Sequence, residues 1–386
     1  MTFNSNDSPN DAIKDGNSIV EQSDSKEQFW PIKMRPKESC EFDVVAIGHA
    51  VVDIMVNVSK ENLLDFELNK GTMQLTDSKH LGEQILEKLQ TSEDSFEIVK
   101  SSGGSAGNTI YALAKLGITT GFLGTVFDDE LGRHYIQDFQ DSSVKCFFSP
   151  KKLENMDIGS IDESIATGRC NVFITPDKDR TMLTYLGASA NFDIEDVNSL
   201  NFSSTGLVYL EGYLFDSVSG TAALMEAISR ARQNSTLVSL SLSDPFVVER
   251  YKDVILDLIT NNKIDILFGN FTEASILSSS DSINGIAEFL KVNSQFAVVT
   301  DGSNGSYCID ESELIFVPAF KSNKVADTTG AGDSFAAGTI AGFIRGYSIQ
   351  DSLKIGSLLA KEVIEHVGPR PTDDVHGILK QFQYEF

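Results

Sequence analysis

The residues best suited to chemistry are Asp327-Thr328-Thr329-Gly330-Ala331-Gly332-Asp333-Ser334-Phe335-Ala336-Ala337-Gly338. The first half of this stretch carries too much Gly and Thr for a good helix. From Ser334 small residues read as a helix, continuing through Ile340, Phe343 and Ile344 to Gly346. A Gly-rich turn therefore feeds a helix N-terminus. Free backbone N–H groups and the helix dipole make such a junction a site for an anion, most often phosphate. Asp333 stands at the junction. On the turn alone it fits two roles, a helix cap or a base that takes a proton from an attacking hydroxyl.

Other polar groups sit where strands should end. Phe42–Gly48 reads as a buried strand, and Asp53 follows it as a lone acid in an apolar stretch. Asp53 fits a turn or cap residue, or a carboxylate that accepts hydrogen bonds from ligand hydroxyls. Gly103 and Gly104 precede a helix that carries Ile110, Tyr111, Leu113, Ala114 and Leu116 and is closed by Gly117, with Asn108 in its first turn; two adjacent glycines allow close backbone approach to a ligand. Strand candidates at 264–268 and 296–300 run into Asn270-Phe271-Thr272-Glu273 and Asp301-Gly302-Ser303-Asn304-Gly305. In open α/β sheets ligands bind beyond the carboxyl ends of the strands. The segments around Asn270, Glu273, Thr300, Gly302, Gly305 and Thr328 are thus expected on one edge. Glu273, near a helix start, suits a carboxylate that holds Mg²⁺ through water, or a first-turn acid favoured by the dipole. Gly302 and Gly305 also fit a hairpin turn.

The elements that must position these residues alternate. Strand candidates near 119–126, 207–210, 237–242, 264–268, 296–300 and 314–317 are separated by helical segments, which predicts a mostly parallel sheet covered on both faces. Residues 163–188 break the rhythm and read as a hairpin around Thr175-Pro176-Asp177-Lys178-Asp179, part of a small β lid, with Arg180 able to reach a ligand or face water. The last helix pair spans about 349–367 and stops at Gly368-Pro369-Arg370-Pro371, with a short terminal helix after it. Residues 1–40 are acidic and polar without period, the pattern of a disordered tail.

Composition narrows the partners. The chain has 386 residues and a formal net charge of -25, against nucleic acid or anionic membrane as main partners because phosphate backbones demand excess Lys and Arg. Cys40, Cys146, Cys170 and Cys308 are scattered, with no zinc-ligand spacing, as in a reducing compartment. No apolar run approaches the ~20 residues of a membrane helix, and no signal core opens the chain; the cytoplasm is the expected location. There is no G-x-x-x-x-G-K-[ST], no protein-kinase H-R-D or D-F-G, and Gly48 alone does not make a dinucleotide fingerprint.

The stretch Asp327–Gly338 resembles the second signature of the phosphofructokinase-B family of sugar and nucleoside kinases, the ribokinase and adenosine kinase relatives. Gly103–Asn108, within the longer stretch to Gly117, is similar to its first signature, Asn270–Glu273 to its N-x-x-E motif and Gly302–Gly305 to its nucleotide loop. The resemblance runs from about Phe42 to Pro371. It implies a ribokinase-like three-layer α/β/α sandwich with a small β-sheet lid, in a kinase domain at 41–378 whose lid comes from about 52–76 and 163–188. It implies ATP and Mg²⁺ and, as in many members, a monovalent cation near the segment that includes Asp327. Gly330, Ala331 and Gly332 would form the anion hole for the γ-phosphoryl group and Asp333 would be the base. Asn270 and Glu273 would position Mg²⁺ and phosphates, with Thr300, Gly302, Gly305 and Thr328 on the nucleotide. Asp53, Gly103, Gly104, Asn108 and Arg180 would hold the acceptor.

The run looks nearest to the adenosine kinase-like branch at Gly48–Asp53, Thr184–Ala188 and Glu211–Asp216, except that His49 stands where this branch commonly has Asn. The expectation is an ATP-dependent kinase of a nucleoside, adenosine first, acting as monomer or homodimer. A free-sugar kinase and a non-catalytic nucleoside- or sugar-binding module are the alternatives.

Overall fold

The computed structural model describes Trp30 and residues 39–91, 96–147, 166–177, 179–372 and 374–386. Two sheets organise it. The larger runs in space as β14 (Leu314–Pro318), β13 (Gly305–Asp310), β12 (Phe296–Thr300), β11 (Ile266–Asn270), β10 (Leu237–Ser241), β9 (Thr205–Glu211), β1 (Phe42–Ile47), β5 (Thr120–Leu123) and β6 (Lys145–Phe147). All neighbours are parallel except across β12–β13 and β13–β14.

Its central strands are apolar on both sides because both faces are covered, as a parallel sheet requires. In β1, Val44 and Ala46 join the core beneath helices Ser105–Lys115, Ala331–Ile344 and Ile349–Val363, while Val45 and Ile47 face Val218–Gln233 and Pro245–Thr260. The alternation of β1 between two cores is the three-layer α/β/α sandwich. Helix Ala331–Ile344 is built of small residues because it lies against Ile349–Val363: a Cβ on Gly338 would stand 2.7 Å from the Gly356 Cα.

The smaller sheet runs β3 (Met73–Leu75), β8 (Arg180–Tyr185), β7 (Gly168–Ile174), β2 (Val51–Asn57) and β4 (Ile98–Ser102). One face packs Val56, Phe173 and Leu183 onto Ile85 and Leu89 of the helix Lys79–Gln90. The other carries Met55, Cys170, Val172 and Met182. This is the lid, and it draws on β4, which sequence reading had left outside it. Asp53 is a correction too: it lies within β2, opposite Ser101 and Cys170, not in a turn after a strand. The helix expected from Ser334 starts three residues earlier, at Ala331.

Trp30 corrects the tail. It is 5% exposed, with its ring 5.4 Å from Phe296 and 5.1 Å from Phe343, and its indole N–H donates to the Ser352 hydroxyl at 3.2 Å. An aromatic anchor with its one donor satisfied belongs to the core. The rest of the tail up to residue 38 lies outside the described residues. No helix among the described residues is long and apolar enough to cross a membrane.

Candidate active site

A cavity of about 420 Å³ opens between the carboxyl ends of the main sheet and the lid. On the sheet side it meets Thr300 at the end of β12, Asn270 at the end of β11, Glu273, and Thr328 to Asp333. On the lid side it meets Asp53, Cys170, Arg180, Met182 and Thr184. Segments far apart in the chain therefore converge as strand ends in a parallel sheet must.

Asp333 is the centre of the site. Its helix has Gly330 as N-cap, in the left-handed region at φ 73°, with no side-chain cap bond. A Cβ there would stand 2.0 Å from the Pro369 carbonyl oxygen, so the turn requires glycine. The N–H groups of Gly332 and Asp333 have no partner among the described residues, and a Cβ on Gly332 would meet nothing within 4 Å. These are the free donors and the open space of an anion cradle. The Asp333 carboxylate does not cap the helix. Oδ1 accepts from the Ser105 hydroxyl at 2.7 Å and Oδ2 from the Asn108 amide at 3.0 Å. Its oxygens are held by a second helix, Ser105–Lys115, and not by its own N-terminus. Burial pushes the carboxyl up to about 6, against the lowering influence of the Ser105 and Asn108 hydrogen bonds. A carboxylate tuned toward neutral pH and lining a cavity is suited to proton transfer.

Glu273 behaves differently. Its Oε2 accepts from the Asn270 N–H at 2.9 Å and its Oε1 from the Asn270 amide at 2.7 Å, while the Glu273 N–H donates to Asn270 Oδ1 at 2.9 Å. This is a reciprocal capping box. Burial still pushes the Glu273 carboxyl up to about 7.

The acceptor side is polar at one end and apolar at the other. Asp53 is 7% exposed; burial pushes its carboxyl up to about 7, with Arg370 pulling the other way. Arg180 has no hydrogen-bond or ion-pair partner among the described residues, and its charge lowers both Asp53 and Asp333. His49 is buried in the wall, its Nε2 set 3.3 Å from the Tyr213 carbonyl oxygen. A carbonyl only accepts, so Nε2 carries the proton. Burial holds this imidazole below its ordinary value. Val51, Met73, Leu75, Met182 and Leu186 line the apolar end.

Most of the expected residues meet here, and three do not. Gly103 lies behind Asp53, where a Cβ would stand 2.2 Å from the carboxylate, so it admits the acid without lining the cavity. Gly302 sits in the β12–β13 hairpin turn at φ 49°, and Gly305 pairs with Pro318 inside the sheet edge; neither reaches the cavity wall. Asn108 lines the cavity; its Nδ2 donates to Asp333, while its buried Oδ1 has no partner among the described residues. Sequence reasoning missed Ser105 and Glu211. Ser105 could have been suspected as the hydroxyl that opens a helix directly after Gly103-Gly104. Glu211 could have been flagged as a lone acid at the carboxyl end of an apolar strand.

The model of the pfkB family carbohydrate kinases matches residues 77–375. The chain belongs to the pfkB family. As a pfkB kinase it is a phosphotransferase with an alcohol group as acceptor, and ATP use follows from the family. Its fold is similar to that of a probable sugar kinase from Rhizobium etli CFN 42, with TM-score 0.79, 32% identity, and coverage of 89% of this chain and 99% of that one. The adenosine kinase from Sinorhizobium meliloti is similar at TM-score 0.77 and 31% identity, covering 89% of this chain and 99% of that one. By sequence, an adenosine kinase of Schizophyllum commune is 24% identical over 357 residues, 85% of this chain and 96% of its own length.

Proposed function

We propose that this pfkB kinase transfers the γ-phosphoryl group of ATP to the primary hydroxyl of a nucleoside, with adenosine as the first acceptor. The observation that carries the reading is Asp333, held by Ser105 and Asn108 rather than by its own helix, beside the unpartnered N–H groups of Gly332 and Asp333. Asp333 accepts the proton of the acceptor hydroxyl as its oxygen attacks the γ-phosphorus; the bond to the β–γ bridging oxygen breaks and ADP leaves. Phosphoryl transfer asks for positioning and charge stabilisation more than covalent chemistry. The two N–H groups meet the oxygens of the transferring group, and Arg180, a free cation on the lid, adds charge from the opposite wall. Lid closure over the acceptor would exclude water as a competing nucleophile.

Among the described residues no group of three His, Cys, Asp or Glu could hold a metal ion. One carboxylate, Glu273, and one amide oxygen, Asn270, are too few for a protein cage but fit Mg²⁺ that keeps its waters and arrives on the nucleotide phosphates. Bound there it would neutralise charge on the β- and γ-phosphates. Asp327 is buried and already accepts from the Thr329 N–H and hydroxyl and from the Gly368 N–H. Those bonds make it a brace between the cradle and the Gly368–Arg370 segment, and a monovalent cation would be coordinated by its surroundings.

The apolar end of the cavity favours a nucleoside: Met73, Leu75, Met182 and Leu186 offer a surface for a flat heterocycle, which a free sugar would leave wet. The likeness to the probable sugar kinase from Rhizobium etli supports the second reading, a sugar acceptor. ADP release measured over adenosine, other nucleosides, ribose, fructose and a keto-deoxy sugar acid tests it. Adenosine should give the highest kcat/KM; preference for a free sugar would replace the nucleoside reading, and turnover with no acceptor in the panel, despite ligand-induced stabilisation, would leave only a binding module.

A further inference from the structure

Glu211 is a buried acid that the mechanism above leaves unused. We propose that Glu211 is a positioning residue for phosphoryl transfer, tying the acceptor-facing turn between β1 and β2 to the helix that holds Asp333. The proposal rests on Asp333 being the base.

Glu211 ends β9 at the cavity and is 1% exposed. Its Oε1 accepts from the His49 N–H and its Oε2 from the Ala106 N–H, each at 2.7 Å. The close approach is possible because Gly48 has no side chain: a Cβ there would lie 2.6 Å from Glu211 Oε2 and from the Ala106 Cβ. One arm of this clamp fixes His49 and, through it, Val51 and Asp53 on the acceptor wall. The other fixes the first turn of Ser105–Lys115, whose Ser105 and Asn108 grip Asp333. Acceptor and base are thus registered against one carboxylate.

No cationic side chain contacts that carboxylate among the described residues. A buried charge without a cation is costly, and a purely space-filling role would be served better by a neutral side chain. The ionised form is the one that accepts at both oxygens; a protonated acid turns an O–H toward one of the two N–H groups. Burial pushes Glu211 up to about 7. The clamp is therefore complete above that value and loosens below it. The titratable groups around Glu211 are His49, held neutral by burial, Tyr135, Tyr209 and Tyr213, all pushed up, and Asp333, whose proton affinity the Glu211 charge raises. Arg180, acting on Asp333 from the lid, opposes that effect.

The test is the pH dependence of steady-state kinetics for Glu211→Gln, Glu211→Asp and Asp333→Asn on the full chain, with folded fraction measured by thermal melting. Glu211→Gln should lower kcat roughly tenfold to hundredfold, the scale for slight misplacement of reacting groups, raise the acceptor KM, and move the acid limb of kcat/KM to lower pH with single-proton slope. Glu211→Asp keeps the charge one methylene short; it should lower kcat while leaving the acid limb in place. Wild-type kcat, KM and acid limb per folded molecule in Glu211→Gln would overturn the proposal. If that variant does not fold, wild-type kcat and KM in Glu211→Asp would overturn it instead. Wild-type turnover in Asp333→Asn would instead remove the base reading itself, so the two failures are distinguishable.

Discussion

Glu273 and Asp333 occupy the same place in two helices. Each is the third residue of a helix that starts at the carboxyl edge of the main sheet, and each lines the same cavity. Glu273 is consumed by its own helix, in a two-way exchange with Asn270. Asp333 gives its helix nothing. The difference begins one turn earlier. Asn270 at the N-cap offers a side chain and a backbone N–H for a reciprocal bond. Gly330 at the N-cap has no side chain, and its left-handed backbone belongs to the turn that leaves the Gly332 and Asp333 N–H groups open. An acid at a helix start is thus a cap or a reagent according to what the N-cap residue can return.

The sharpest way to break this contrast is Asp333→Asn. Turnover should fall by ~10² or more, the usual scale for losing a general base, with ATP and acceptor binding largely kept; near-normal kcat would return Asp333 to a structural role. The same variant carries a stability signature. The folded-state value of Asp333 is about 6, above its ordinary 3.8, so the folded protein holds a proton that the unfolded chain gives up in that window. Stability contributed by this group is lost as pH rises from about 4 through 6. Asp333→Asn should therefore melt no lower than wild type at pH 8, and a clear drop in Tm there would contradict the strain.

Glu273→Gln should act the other way round. The amide can still serve as the N3 partner of the capping box but carries no charge, so the variant should melt close to wild type and raise the KM for ATP at limiting Mg²⁺ with a smaller loss of kcat. A loss of kcat as deep as that of Asp333→Asn would erase the distinction between the two acids. In the wild type, kcat/KM should rise with pH through about 6 to 7 as Asp333 and Glu211 ionise, measured under saturating ATP. The smallest effect is expected from Ser105→Ala, which removes one of two donors to Asp333. It should raise the acid limb slightly, because a hydrogen bond to the charged form is lost. A shift to lower pH would mean that Ser105 does not stabilise the carboxylate.

The layered fold was legible in the sequence because strands buried on both faces read as apolar runs, and these recur between helical segments from Phe42 onward. The turn with its free N–H groups was legible for a local reason: Thr328 to Asp333 is contiguous, and a Gly-rich turn into a helix leaves such groups open without help from the rest of the chain. The lid was only partly legible. Ile98–Ser102 is too short and too mixed to announce itself, and it is a strand because β2 pairs with it. The nucleotide-loop glycines Gly302 and Gly305 matched a motif, yet a two-strand return at the sheet edge explains both positions.

By itself, the sequence determined the α/β layering, the Gly-rich turn into a helix and the identity of the acid beside it, since each depends on neighbours along the chain. Tertiary structure decided what that acid bonds to. Ser105 and Asn108 reach Asp333 from a helix more than two hundred positions away, and Glu211 meets His49 and Ala106 across 162 and 105 positions. Hydrogen-bond partners at such separation have no spacing to read. They exist because a parallel sheet brings its strand ends to one edge, and packing there selects which carboxylate bonds its own helix and which is held by another.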